Sequence, residues 1–97
     1  MELKKAGISG TLESSDVMIA LEPGNGGIEI ELTSSVEKQF GDAIRKEITS
    51  TLTSLGVTNA RVTAVDKGAL DCVIRARVKA AACRAAEVEY AWGGGSQ

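Results

Sequence analysis

The sequence contains no histidine. That absence removes the imidazole general base, the Ser-His-Asp triad, the Cys-His pair and any His-ligated zinc site. Aromatic residues are almost as scarce: Phe40, Tyr90 and Trp92 are the whole set in 97 residues. A core must then be aliphatic, which the 43% apolar content permits. Only two cysteines occur, Cys72 and Cys83. They are too few for a disulfide framework and lack metal-site company, so they read as inert apolar residues. No apolar run approaches the roughly 20 residues that span a bilayer. Met1 to Lys5 offers no apolar stretch of the secretory kind. A soluble, cytoplasmic chain that engages neither membrane nor metal is expected. Charge is nearly balanced, with eleven basic and thirteen acidic side chains for a net −2. No Lys/Arg block supplies the basic surface that nucleic acid needs. The nearest approach is Arg75, Arg77, Lys79 and Arg84. That group reads as a solvated face, with a docking surface for an acidic partner as the sharper alternative.

A chain this short fits one domain. Residues 1–15 are small and polar and read as a flexible N-terminal arm. Val17, Ile19 and Leu21 alternate with Met18 and Ala20, which predicts a strand near 16–22. Pro23-Gly24-Asn25-Gly26-Gly27 is a dense turn signal. Ile28, Ile30 and Leu32 then alternate with Glu29 and Glu31 in a second strand, and the two strands are expected to pair as a hairpin.

Ser34 followed by Glu37 has the spacing of a capping box, which predicts a helix over 34–55. Val36, Phe40, Ala43, Ile44, Ile48, Leu52 and Leu55 recur at spacings of three and four, so this stripe should face the core. Gly56 follows where a left-handed glycine would end the helix. A third strand is expected over 57–66, with Ala60, Val62 and Ala64 on one side and Arg61 and Thr63 on the other. Asp66-Lys67-Gly68 then reads as a turn.

Residues 69–88 support two readings. As a helix, Leu70, Val73, Ile74, Val78, Ala81, Ala82 and Ala85 make one apolar stripe, and the alanine content agrees. As a strand, Cys72, Ile74, Ala76 and Val78 alternate with their neighbours. The helix is preferred because one period explains the whole segment. On a helix the two cysteines are separated by about 16 Å of rise. A disulfide needs Cα atoms within about 7 Å, so both thiols should be free. The tail, 91–97, reads as disordered, with Trp92 docked on the body or on a partner. The expected fold is an α+β domain over 16–90: two layers, a three-stranded mainly antiparallel sheet with two helices on one face.

The segment Gly10-Thr11-Leu12-Glu13-Ser14-Ser15-Asp16 is, on its residues alone, a polar loop ahead of a strand. No histidine can activate its serines. A serine can still be a modification site, since the modifying enzyme then supplies the base. Such a site needs exposure and a flexible backbone, and this segment is expected to offer both.

Gly10 through Ile19 resembles the attachment segment of the citrate lyase acyl carrier proteins, or gamma chains. Two further stretches are similar to that family: Ser34 through Arg45, and Asp66 through Cys72 continuing to Arg77. Together they span about residues 10–86. The resemblance implies that Ser14 carries 2′-(5″-triphosphoribosyl)-3′-dephospho-coenzyme A through a phosphodiester bond. It implies a terminal thiol that is acetylated, then exchanged to citryl by the alpha subunit, then cleaved to oxaloacetate by the beta subunit. A prosthetic-group transferase and an acetate-ligating enzyme are the other implied partners. The chain would be a carrier with no catalytic residue of its own. Ser15 stands where close relatives of the family are expected to have glycine, which makes it a second candidate for attachment. Glu13 and Asp16, flanking Ser14, either guide the modifying transferase or are plain polar residues. The alternatives are the carrier subunit of malonate decarboxylase, which uses a related arm, and an unmodified scaffolding domain. A stand-alone enzyme fits poorly with the missing histidines.

Overall fold

Alternation of apolar and polar residues becomes strand, and three-to-four spacing becomes helix, throughout the computed structural model, which describes residues 1–88. The elements in chain order are β1 (Gly7–Ser9), β2 (Val17–Pro23), β3 (Ile28–Ser34), α1 (Glu37–Ser54), β4 (Ala60–Asp66) and α2 (Asp71–Ala86). Within segment 69–88 the structure is a helix over Asp71–Ala86, as its single period implied. The expectations for Trp92 and the tail lie outside the described residues.

The sheet has four strands in the order β1-β2-β4-β3. Three mainly antiparallel strands were expected, and two features correct that. The first is β1, which pairs antiparallel with β2 through Gly7 opposite Leu21 and Ser9 opposite Ile19. The second is that the expected hairpin does not form. β2 pairs antiparallel with β4, and β3 pairs parallel with β4, so β4 lies between them. The turn signal at Pro23–Gly27 is real but long. Skipping one strand requires about 10 Å, and the residues between β2 and β3 can reach farther than that. They cross the end of β4, where Gly27 donates to the Asn59 Oδ1 at 2.9 Å and accepts from the Ala60 N–H at 3.0 Å. Parallel pairing of β3 with β4 needs a crossover, and α1 supplies it.

One face of the sheet is buried. Val17, Ile19 and Leu21 of β2 and Ala60, Val62 and Ala64 of β4 are all buried, as the third-strand pattern implied. Glu22, Glu29, Glu31, Arg61 and Thr63 face outward. Against the apolar face lie Ile48 and Leu52 of α1, and Ile74, Val78, Ala81, Ala82 and Ala85 of α2. Each Ile, Leu or Val side chain among these contributes roughly 1.5–3 kcal/mol on full burial, and each alanine less. No helix among the described residues is long and apolar enough to cross a membrane.

Helix α1 starts three residues later than the capping-box reading. Ser34 remains in β3, opposite Asp66, and Val36 takes the N-cap position with no side-chain hydrogen bond there. The sheet ladder outcompetes the cap for Ser34. The Ser34 hydroxyl instead accepts from the Val36 N–H at 3.1 Å and donates to Asp66 at 2.9 Å. The other end behaves as expected. Gly56, at φ +79°, follows the helix. The Val57 N–H bonds to the Leu52 carbonyl and the Gly56 N–H to that of Thr53, the pair of bonds of a Schellman motif.

The core stripe of α1 is shorter than its periodicity implied. Ile44, Ile48 and Leu52 are buried, whereas Phe40 is 53% exposed and Ala43 is also exposed. The first turns of α1 face the turn between β4 and α2 across a gap instead of a packed wall. Leu70, expected in the α2 stripe, precedes the helix and is 70% exposed.

Residues 1–15 are fastened to the domain over their first part. Leu3 is buried, and the Lys4 and Lys5 N–H groups both donate to the Ala85 carbonyl. β1 lies so close to α2 that a Cβ on Gly7 would sit 2.3 Å from the Ala81 carbonyl oxygen. Between β1 and β2, 10–16 is left as a loop. Both cysteines are free, Cys72 exposed and Cys83 buried.

Candidate functional site

The Gly10–Asp16 loop joins β1 to β2 and owes its shape to local hydrogen bonds. Gly10 has φ +94°, and a Cβ there would lie 1.8 Å from the Val17 carbonyl oxygen, so glycine is required. Glu13 to Asp16 forms a β-turn closed by the Asp16 N–H to the Glu13 carbonyl at 3.2 Å. Ser14 and Ser15 are its two central residues. Ser15 has φ +67°, a sign that type II turns require at the third position and that favours glycine. The glycine expected at Ser15 in the family therefore has a physical basis.

Ser14 occupies the corner of this turn and is exposed. Among the described residues no hydrogen bond engages its hydroxyl. The backbone beneath it is fixed: Ser15 N–H donates to the Lys67 carbonyl at 2.8 Å, and Lys67 N–H donates to the Asp16 carbonyl at 2.9 Å. These reciprocal bonds clamp the turn to the β4–α2 connection.

Asp16 is the hub of the loop. Its carboxylate accepts from the Thr11 N–H at 3.1 Å, the Thr11 hydroxyl at 2.6 Å and the Val17 N–H at 2.7 Å. The Arg77 guanidinium donates both Nε and Nη2 to it, at 3.0 and 2.9 Å. Such forked, charge-assisted bonds fix direction as well as distance. The Arg77 bonds, then the Thr11 hydroxyl, hold the Asp16 carboxyl well below the usual carboxylate range, against opposition from burial. Of the two residues flanking Ser14, then, Asp16 builds the loop, while Glu13 stays exposed.

Asp66 does the same for the adjoining turn. It is 1% exposed and accepts from the Ser34 hydroxyl, the Gly68 N–H and the Ala69 N–H, at 2.9 to 3.1 Å. Its role could be read in the sequence only as a turn residue, because Ser34 lies 32 positions away. The Asp16–Arg77 pair spans 61 positions and left no local signal at all. The basic group on α2 is correspondingly not a plain solvated face. Arg77 serves Asp16, Arg75 reaches Glu47 of α1 at 3.3 Å, and Arg84 donates to the Ile8 carbonyl.

The three stretches singled out in the sequence thus meet in space. Gly10–Ile19 supplies the loop, Ser34 braces Asp66, and Asp66 to Arg77 supplies the clamp beneath Ser14. A lone serine with no base beside it has no means of attacking a substrate. What the arrangement offers is an accessible hydroxyl on a firm mount.

A family model described as "ACP: Malonate decarboxylase delta subunit (MdcD)" matches residues 4–85. Relatives named citrate lyase acyl carrier protein include one from Oenococcus oeni, 60% identical over 89 residues that make up 92% of each chain. Another, from Streptococcus equi subsp. zooepidemicus, is 58% identical over 94 residues, 95% of this chain and 92% of the relative. Among solved structures, a chain of a Pseudomonas malonate decarboxylase hetero-tetramer in complex with malonate matches with TM-score 0.52 and 20% identity, over 84% of this chain and 88% of that one. This last likeness speaks to the fold. Identity near 60% across 92% of both lengths speaks to more, and the chain belongs to the citrate lyase acyl carrier protein family, as a carrier and not a catalyst.

Proposed function

We propose that this chain is the acyl carrier of citrate lyase and that Ser14 bears its arm in phosphodiester linkage: the Ser14 oxygen attacks the α-phosphorus of 2′-(5″-triphosphoribosyl)-3′-dephospho-coenzyme A, pyrophosphate leaves, and the 2′-(5″-phosphoribosyl)-3′-dephospho-coenzyme A group stays attached. The observation that carries the reading is the exposed Ser14 hydroxyl, without a hydrogen-bond partner among the described residues, at the corner of a turn fixed from below. When bound, the arm supplies a terminal thiol able to hold acyl groups as thioesters.

The chain's own residues do three things. Ser14 offers an oxygen that an attaching enzyme can reach from solvent, with that enzyme supplying the base. Asp16, Arg77 and the Lys67 backbone keep the turn from folding away. The domain holds the tethered group near its partners, which turns bimolecular encounters into effectively intramolecular ones. The partners are the two catalytic subunits of citrate lyase, the attaching transferase and an acetate-ligating enzyme, all in the cytoplasm. Ser15 is the weaker attachment candidate. Its N–H is committed to Lys67, and its positive φ marks it as the position where the turn favours glycine.

Carriage for malonate decarboxylase is the second reading, favoured by the description of the family model. It stands behind because the solved malonate decarboxylase chain shares only 20% identity, against 60% for a citrate lyase carrier. Intact mass after co-expression with the attaching enzymes tests the main reading. The expected result is a gain equal to the arm, abolished by Ser14→Ala and retained by Ser15→Ala. Loss with Ser15→Ala alone moves the site by one residue. A bare mass despite an active attaching system leaves a scaffolding domain instead. Co-purification with decarboxylase subunits selects the second reading.

A further inference from the structure

An apolar groove opens beside the Ser14 turn. Val36, at the N-cap of α1, with Phe40 and Ile44 of α1 forms one wall, and Ala69, Leu70 and Ile74 form the other. Its volume is about 420 Å³, within the range of small-ligand clefts. The floor includes Asp66 and Gly68. Lys67, between those two residues, is the one bonded through its backbone to Ser15 and Asp16. The groove lip and the Ser14 turn are therefore joined by a rigid connection only a few residues long.

Two of its lining residues are hard to explain by folding. Phe40 is the only phenylalanine of the chain, and it is 53% exposed. Leu70 is 70% exposed, directly before α2. Large apolar side chains set together around a concavity mark a site that something covers. The polar group of the floor, Asp66, already has its oxygens engaged by Ser34, Gly68 and Ala69. Asp66 makes no demand for a cation or a donor, and the exposed Asp71, which also lines the cavity, disfavours an anion, so the apolar remainder suits an uncharged occupant.

Resting on the assignment of the arm to Ser14, we infer that this groove shelters the thiol-bearing end of that arm. The occupant is an uncharged chain of amide and methylene groups ending in a thiol or a small acyl thioester. Its tether starts at the turn bonded to the Lys67 backbone, so docking is intramolecular, and contacts too weak to hold a free ligand gain from the covalent link. The phosphate-bearing part stays in water, since the walls are apolar. Docking limits premature loss of the acyl group to solvent thiols and hydroxide. The arm leaves when a partner subunit offers a better site.

The test uses the full chain carrying Cys72→Ser, so that the exposed native thiol does not report, with and without the attached arm. Intact mass comes first. Amide spectra and the rate of reaction of the arm thiol with a disulfide reagent follow. Attachment should shift the amides of residues 68–71 and those around Phe40, not only those beside Ser14. Phe40→Gln and Leu70→Gln should abolish these distal shifts and raise the thiol rate about twofold, as expected when a half-docked arm is freed. A chain that gains the mass but shows shifts confined to residues 10–16, with equal thiol rates in all variants, overturns the groove and leaves the attachment standing. Groove amides that move only when the large subunits are added also overturn it, giving the site to a partner protein. A bare mass with active attaching enzymes overturns both.

Discussion

The carboxylate of Asp16 accepts from Thr11, Val17 and Arg77 at once, which explains why so short a loop holds one shape. Its carboxyl is held well below the usual range, so its contribution to stability exists above the unfolded-state pKa, near 3.9, and is lost as pH falls from there. Asp16→Asn should cost about 1.5–3 kcal/mol at neutral pH in urea unfolding, toward the lower figure because Arg77 is 38% exposed and partly screened. The gap between wild type and variant should be flat above about pH 5 and close below about pH 4. A gap independent of pH would remove the ionic account. Ser15 tests the backbone at the same scale. A left-handed L-residue costs roughly 1–2 kcal/mol, and a glycine substitution returns part of that as unfolded-state entropy, roughly 0.4–1 kcal/mol. Ser15→Gly should therefore stabilise by up to about 1 kcal/mol, and a lower midpoint in denaturant contradicts the turn geometry.

Between elements, the closest approach is that of β1 to α2. Gly7 faces the Ala81 and Ala85 backbone, with a would-be Cβ 2.3 and 2.6 Å away. Neither contact can yield without moving the helix. Gly7→Ala should cost about 1–3 kcal/mol as an overpacked site, with hydrogen exchange accelerating first in β1 and the Ser14 loop. Unchanged protection in β1 would show that the strand docks more loosely than the geometry requires. α1 supplies the opposite case. Its periodicity alone puts Phe40 in the core, where truncation costs about 3–5 kcal/mol. Exposed as it is, Phe40→Gln should alter stability by no more than about 0.5 kcal/mol. A large loss in thermal or urea unfolding would restore Phe40 to the core and close the groove.

At the scale of the molecule, one aliphatic core joins both helices to one sheet face, and Cys83 lies within it at 6% exposure. Burial pushes its thiol pKa up, which lowers its thiolate fraction as well as its access. Cys72, on the same helix, is exposed. A thiol reagent should label Cys72 in the native protein and Cys83 only in step with global unfolding, as two-state behaviour of a small domain implies. Native labelling of both residues at similar rates would mean that α2 opens separately from the sheet.

The sequence by itself determined element types, because burial of one face imposes a period of two on strands and near 3.6 on helices. Val17–Leu21, Ile28–Leu32, Ala60–Ala64 and the span from Ile74 to Ala85 all carry that imprint. It also determined what the chain cannot do, since no imidazole is present, and it marked Ser14 by resemblance. Only the tertiary structure decided which strands pair. A link as long as Pro23–Gly27 can close a hairpin or step across β4, and local pattern weighs both alike. The same holds for Ser34, for which cap and ladder compete, and for Phe40, whose exposure depends on how far the β4–α2 turn stands from α1. The support of Ser14 was the least legible part. Asp16 and Arg77 meet across 61 positions, and a charge pair at that separation leaves no periodicity to read.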